Sequence, residues 1–164
     1  MRYVKFVQFG FALALAIALA ACSGDRPVEK AILGTWVQDT PISMTSDGLQ
    51  TTTADTVLRL EKTGEVHLTR NLDIAGQGLP EDGVKISLEL RGRWELIDGQ
   101  LKQTQDTALI MPRTSDDTAR NWADQLQAQA NESQPTIKDI ISVDKKQLIL
   151  QDTDTGTTDV YRRK

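Results

Sequence analysis

Apolar and polar residues alternate with a period of two in a series of short segments along this chain, and two longer stretches follow a different pattern: residues 6–21 and residues 116–131. Residues 34–38 predict a first strand, and residues 28–33 before it a short helical turn for which Pro27 suits the first position. Residues 51–60, dense in threonine and ending in Val57, Leu58 and Leu60, predict a second strand. After the Lys62-Thr63-Gly64 turn, Val66, Leu68 and Arg70 fall on one face while His67, Thr69 and Asn71 fall on the other. Residues 74–83 hold Gly76, Gly78, Gly83 and Pro80 and predict a surface loop. Residues 84–97 set Ile86, Leu88 and Leu90 against Lys85, Ser87 and Glu89, with Gly92 as a bend or bulge. Asp98-Gly99 between apolar runs predicts a tight hairpin, because both residues tolerate positive φ, and its second strand covers residues 100–104. Residues 136–143, 147–151 and 157–163 are the closing strands. Short connections between neighbours imply an antiparallel meander.

Within the second exception, Ala119, Trp122, Ala123, Leu126 and Ala130 fall on one face of a helix over about 116–131. Ser115 or Thr114 can cap its start, Asp116 and Asp117 suit the positive end of its dipole, and Pro135 lies beyond its end. The expected placement of this helix is a lid over the open edge or mouth of the sheet, packed by Trp122 and Leu126; the same stripe would serve a partner groove. The fold class is therefore all-β, mainly strands with one α-helix, closing as a barrel or half-barrel.

The first exception has a different meaning. Arg2 and Lys5 precede a 16-residue uncharged run, residues 6–21, shorter than the roughly 20 residues that span a bilayer. Charge, then apolar core, then small residues is the order of a secretory signal. The run ends in Leu19-Ala20-Ala21-Cys22, which closely resembles the lipobox of bacterial lipoproteins. That resemblance implies cleavage before Cys22, a thioether-linked diacylglycerol on its sulfur and a fatty-acylated (palmitate-type) amino terminus. Several acyl chains make a stable anchor, since each buried methylene contributes about 0.8 kcal/mol. Ser23 next to the cysteine implies sorting to the outer membrane, facing the periplasm. The expected organisation is a signal peptide over residues 1–21, a lipidated tether over 22–30 and one β domain over 31–164.

Composition narrows the partners. Arg2 and Lys5 leave with the signal, so 17 of the 19 basic residues face 23 acidic ones, a net charge near −6. Such a balance argues against nucleic acid and against an anionic membrane surface as binding partner. Cys22 is the only cysteine, so with its sulfur committed to lipid no disulfide contributes to stability.

Three motifs carry a second resemblance. Ile32-Leu33-Gly34-Thr35-Trp36 resembles the Gly-x-Trp opening of lipocalin-like (calycin) barrels, and Val160-Tyr161-Arg162 resembles their closing strand with its arginine. Gly92-Arg93-Trp94-Glu95-Leu96-x-Asp98-Gly99-x-Leu101 resembles the mid-domain hairpin of small lipocalin-like bacterial lipoproteins. The resemblance implies a barrel plugged at one end by Trp36 with Arg162 stacked across it as a cation–π pair. The chain departs from true lipocalins in lacking their disulfide and in placing its helix before three strands.

Candidate chemistry is sparse. His67 is the only histidine, and no nucleophile–histidine pair, metal-ligand set or phosphate loop stands out, so neither an enzyme, nor a metal, nor a cofactor is expected. Asp152-Thr153-Asp154-Thr155-Gly156 has the oxygen spacing of part of a calcium loop but lacks the later bidentate acid, and turn chemistry explains it better. Two functions follow. One is a lipocalin-like binding module for a small apolar ligand or lipid, with Trp94, Trp122 and Leu126 as possible ligand or partner contacts. The other is a protein-interaction module of the envelope with a solid barrel. The expected inward residues Val57, Val66, Leu68, Ile86, Leu88, Leu90, Leu148 and Leu150 are bulky enough to fill a small barrel, which favours the second.

Overall fold

Strands that follow one another in sequence pair with one another in space, and the first then returns to close the ring. The structure, a computed structural model, describes residues 28–132 and 134–164. The segment expected to be a signal, Cys22 and the expected tether as far as Pro27 lie outside the described residues. The elements run α1 (Val28–Ile32), β1 (Gly34–Gln38), β2 (Ile42–Ser46), β3 (Leu49–Leu60), β4 (Glu65–Gly76), β5 (Val84–Ile97), β6 (Gln100–Pro112), α2 (Asp117–Asn131), β7 (Thr136–Val143), β8 (Gln147–Asp152) and β9 (Thr158–Arg163). β1 pairs antiparallel with β3, from Gly34↔Leu60 to Val37↔Val57, and with β9, from Trp36↔Arg163 to Gln38↔Tyr161. These pairings close an eight-stranded antiparallel barrel, compatible with a lipocalin-like fold. Of the barrel and half-barrel expected from the meander, the closed form is the one adopted.

β2 is outside that ring and pairs only with β3. Its sequence, Ile-Ser-Met-Thr-Ser, has two apolar residues and is largely exposed, so nothing in the alternation announces it. Backbone pairing and a Ser43–Thr52 hydroxyl contact of 2.8 Å hold it. A bulge in β3 between Ala54 and Val57, with Asp55 at φ 52°, separates the part that pairs with β1 from the part that pairs with β2. Beyond the bulge Thr56, Leu58 and Leu60 point inward, so Val57 faces outward, contrary to expectation.

The Asp98-Gly99 hairpin forms as expected, with φ of 52° and 82° at the two turn positions. β6, however, continues to Pro112 and β4 to Gly76, well past their expected ends. The period-two signal of β6 fails because Asp106 is an extra residue bulged out opposite Arg91 and Gly92. At Gly92 the β6 backbone leaves no room for a side chain: a Cβ there would meet the Thr104 carbonyl oxygen at 2.0 Å.

The apolar interior has two parts. Ile32, Trp36, Leu58, Leu60, Leu101 and Leu148 belong to a cluster at the end where β1 begins and β9 finishes. At the other end Ile74, Val84 and Ile86 pack under Ala119 and Ala123 of α2, with Trp122 and Leu126 against the same cluster. The helix is thus a cover over the extended β4–β6 sheet. Its N-cap is Asp116 and not Ser115 or Thr114: Asp116 Oδ1 accepts from Ala119 N–H at 2.8 Å, and the Thr114 hydroxyl donates to Asp116 Oδ2 at 2.5 Å. An ionised carboxylate makes the stronger cap, and Thr114 is one turn position too early to reach the helix.

α2 also blunts an exposed edge. β6 pairs with β7 only from Gln100 to Gln103, so its remaining length has a free side. Gln127 supplies the missing partner. Its Oε1 accepts from Ile110 N–H at 3.0 Å, and its Nε2 donates to the Ala108 carbonyl at 3.0 Å, as a peptide unit of a neighbouring strand would. Gln105 Nε2 donates to the Ala130 carbonyl at 2.7 Å from the opposite direction.

Two outcomes are expected from these contacts. Gly92→Ala should lower the unfolding free energy in urea by about 3 kcal/mol, the upper part of the overpacking range, because backbone atoms of β6 have to move. Gln127→Ala should leave the barrel folded but speed amide hydrogen exchange at Ile110 by roughly tenfold, the loss of about one hydrogen bond's worth of local protection; an unchanged rate at Ile110 would show that α2 does not seal this edge.

Candidate functional site

The closed end of the barrel is built around Trp36. Its side chain is fully buried, and its indole Nε1 donates to the Ile32 carbonyl at 2.7 Å, tying β1 to α1. The arginine over it is Arg163, with Cζ 4.0 Å from the ring centroid. Arg163 also donates from Nη1 to the Leu33 carbonyl and from Nη2 to the Ala31 carbonyl, both at 2.6 Å, and from Nε to the Lys145 carbonyl at 3.0 Å. Arg162, the expected stacking residue, is turned to the outside and pairs with Asp39. Strand alternation dictates the exchange: Tyr161 is buried and points in, so Arg162 points out. Gly34 belongs to the same device, for a Cβ there would lie 2.6 Å from Arg163 Nη1.

Trp94 packs in the same cluster and donates from Nε1 to the Glu61 carbonyl at 2.9 Å. Trp122 and Leu126 pack on the β4–β6 sheet. None of these three candidate contacts lines either of the two openings in the barrel wall; each packs against its own domain.

Where β6 parts from β7 the wall opens, and behind the opening lies a cavity of about 440 Å³. Its floor is Val66, Leu68 and Leu90, successive inward positions of β4 and β5. Its polar rim includes Gln103, Gln105 and Thr155. Gln103 Nε2 is buried with no hydrogen-bond partner, a donor aimed at an acceptor the chain does not supply. A volume in the range of about 300–1,000 Å³, an apolar floor and a few convergent polar groups are the features of a small-molecule site.

A polar cluster fills the neighbouring part of the interior. Lys138 Nζ and Asp159 Oδ2 are 2.5 Å apart, with side chains only 12% and 7% exposed. Tyr161 lies beside them and Arg70; burial first, and the Asp159 charge second, push its hydroxyl pKa well above the ordinary tyrosine value. Thr56 Oγ1, Arg70 Nε and both polar atoms of Gln38 are buried without partners. An atom of this kind left without any partner would cost about 1–3 kcal/mol, so these positions call for a partner from outside the chain, water included. Arg70 was readable as inward because it shares the face of Val66 and Leu68. Lys138, Asp159, Gln38 and Gln103 gave no such signal, being polar positions in strands whose apolar residues define the pattern.

The remaining candidates have structural settings. His67 lies on the outer face of β4, its Nε2 4.0 Å from Glu61. Asp152 closes the β8–β9 turn, its Oδ1 accepting from Asp154 N–H (3.1 Å), Thr155 N–H (2.8 Å) and the Thr155 hydroxyl (2.9 Å). Burial, the largest single cause, raises the pKa of that carboxyl, but the Thr155 donors, the Lys138 charge and the Asp154 N–H together outweigh it and the net shift is downward. Among the described residues, no three or more His, Cys, Asp or Glu side chains converge as metal donors. No protein-family model matches the chain, and no characterised protein matches it in sequence.

Replacing Arg163 by Met should lower the unfolding free energy by about 2–4 kcal/mol, since charged hydrogen bonds to buried carbonyls contribute about 1.5–3 kcal/mol each. Arg162→Ala should stay within about 0.5 kcal/mol, as befits an exposed ion pair; equal losses for the two variants would contradict the assignment of the plug. Asp116 and Asp152 have folded pKa values depressed by their donors. Their contribution is therefore fully present above about pH 4, the unfolded aspartate value, and is lost as pH falls through the folded values. Urea midpoints measured between pH 5 and pH 2 should fall less steeply in Asp152→Asn than in the parent.

Proposed function

We propose that this protein is an envelope lipoprotein, anchored by lipid on Cys22 in the outer membrane and facing the periplasm, whose barrel is a lipocalin-like binding module for a small apolar ligand or lipid. The single observation that carries the binding half of this reading is the 440 Å³ cavity with its floor of Val66, Leu68 and Leu90. Bulky inward residues fill the Trp36 end, but they do not fill the end where β6 leaves the wall. That speaks against a solid barrel serving only as a protein-interaction module. The anchor half is supported by the lipobox resemblance of Leu19-Ala20-Ala21-Cys22.

The reading is one of binding without catalysis. The lone histidine is on the outer wall, and the polar groups lining the cavity are carboxamides, hydroxyls, the Arg91 guanidinium and the carboxylates of Asp152 and Asp154, suited to orienting a ligand. Its geometry is a bucket: sealed by Trp36 and Arg163 at one end, open beside β6 at the other.

Native mass spectrometry of the protein purified from envelopes, before and after organic extraction, tests this. A stoichiometric small adduct that extraction removes, and that Leu68→Trp prevents from rebinding, is the expected result. A protein mass explained by the anchor alone, with no uptake from an added envelope lipid extract, would contradict it. The anchor has its own check: Cys22→Ser should release the domain into the soluble periplasmic fraction.

A further inference from the structure

A second, smaller cavity of about 170 Å³ opens on the other side of the β8–β9 turn, between that turn and β2. The chain itself creates this gap. β9 bonds to β1 as far as Gln38, and Asp39 N–H still donates to the Val160 carbonyl, but the chain then leaves the ladder at Thr40-Pro41, where Pro41 has no N–H to give. β2 continues on β3 alone, so the start of β9 and the free side of β2 face each other across an opening. Ile42 and Met44 supply its apolar wall, and Thr53 and Thr157 its hydroxyls.

Four charged side chains line the gap: Arg70, Lys138, Asp152 and Asp159. Three are already engaged. Lys138 and Asp159 hold each other, and Asp152 is occupied by the donors of its own turn. Arg70 differs: its guanidinium meets the Tyr161 hydroxyl, but among the described residues it has no carboxylate within ion-pairing distance, and its Nε is buried without a partner. A guanidinium cannot shed its proton, so it stays charged in a partly buried place at a cost that a counter-ion would offset.

We propose that this gap is a binding site for a small monocarboxylate, with the carboxylate on the Arg70 guanidinium and the apolar body against Ile42 and Met44. A planar carboxylate matches the fork of a guanidinium. A dianion such as phosphate is disfavoured, because Asp152 and Asp159 line the same space and the four lining charges already sum to zero. Size sets the class: a cavity of about 150 Å³ admits benzene, so a ring or a short acyl chain fits and a long chain does not. This site goes beyond the apolar-ligand reading and does not rest on it, although the two cavities share Asp152 and Thr155.

The test uses the full-length protein and two probes of nearly equal shape, benzoate and benzamide, titrated by ligand-observed NMR. Benzoate should bind at least tenfold tighter than benzamide, and Arg70→Gln should remove that preference. Met44→Trp, which narrows the gap at an exposed position, should weaken benzoate without touching the charge. Equal binding of the two probes, or binding of neither, overturns the proposal. So does displacement of benzoate by an equal concentration of inorganic phosphate, which would mean unselective attraction of anions. Should Arg70→Gln fail to fold, the probe comparison, the phosphate competition and Met44→Trp decide the matter. Uptake of envelope lipid by the larger cavity is read separately, so either site can fail without the other.

Discussion

The barrel depends on β1 pairing along both sides at once. Five residues, Gly34 to Gln38, join β3 to β9 and turn an open meander into a ring. That short strand has little ladder to rely on, and side chains reinforce it. Trp36 fills the barrel end, its indole N–H ties the strand back to α1, and Arg163 lies across the ring while donating to three carbonyls. The guanidinium thus satisfies backbone acceptors left over at the end of the helical turn and in the β7–β8 turn. Gly34 is what allows it to come so close.

Closure at one end leaves the other free to differ. Beyond the Trp36 cluster the long β3–β6 hairpins run past the strands that would complete the cylinder. Two openings result, one where β6 leaves β7 and one where β2 is not met by β9. α2 manages the first by capping the β6 edge with Gln127 and covering the Ile74–Val84–Ile86 patch, and the cavity remains beside it. The interior there carries Arg70, Lys138, Asp159, Gln103 and Thr56, several with unsatisfied atoms. A barrel selected for stability alone would place apolar residues at these positions. The proposed binding role rests on their presence.

Much of this architecture was legible in the chain. Residues 84–97 alternate cleanly and form a strand with those bounds, residues 136–143 form one with a register shift between Ile140 and Ser142, and Asp98-Gly99 dictates its turn. The helix was visible because Ala119, Trp122, Ala123 and Leu126 change the period. What escaped was whatever alternation does not encode. β2 is held by its backbone and carries no buried face. β6 hides its second half behind the Asp106 bulge, and the Asp55 bulge reverses the facing of Val57. The plug was read one residue early, since the motif names an arginine in the last strand but only the inward-pointing Tyr161 decides which one. The site was the least legible part. Aromatic residues drew attention as contacts, yet they serve the core, and the cavity is lined by leucines and carboxamides that only the closed ring brings together.

The central claim is that the barrel is sealed at Trp36 and hollow at Leu68 and Leu90. A crystal structure of the protein purified from its native host, without extraction, tests it most directly. Electron density for a bound molecule other than water, lying against Val66, Leu68 and Leu90 and accepting a hydrogen bond from Gln103 Nε2, is the predicted result. Side chains repacked to leave no space there, or a cavity holding ordered water alone, would contradict it.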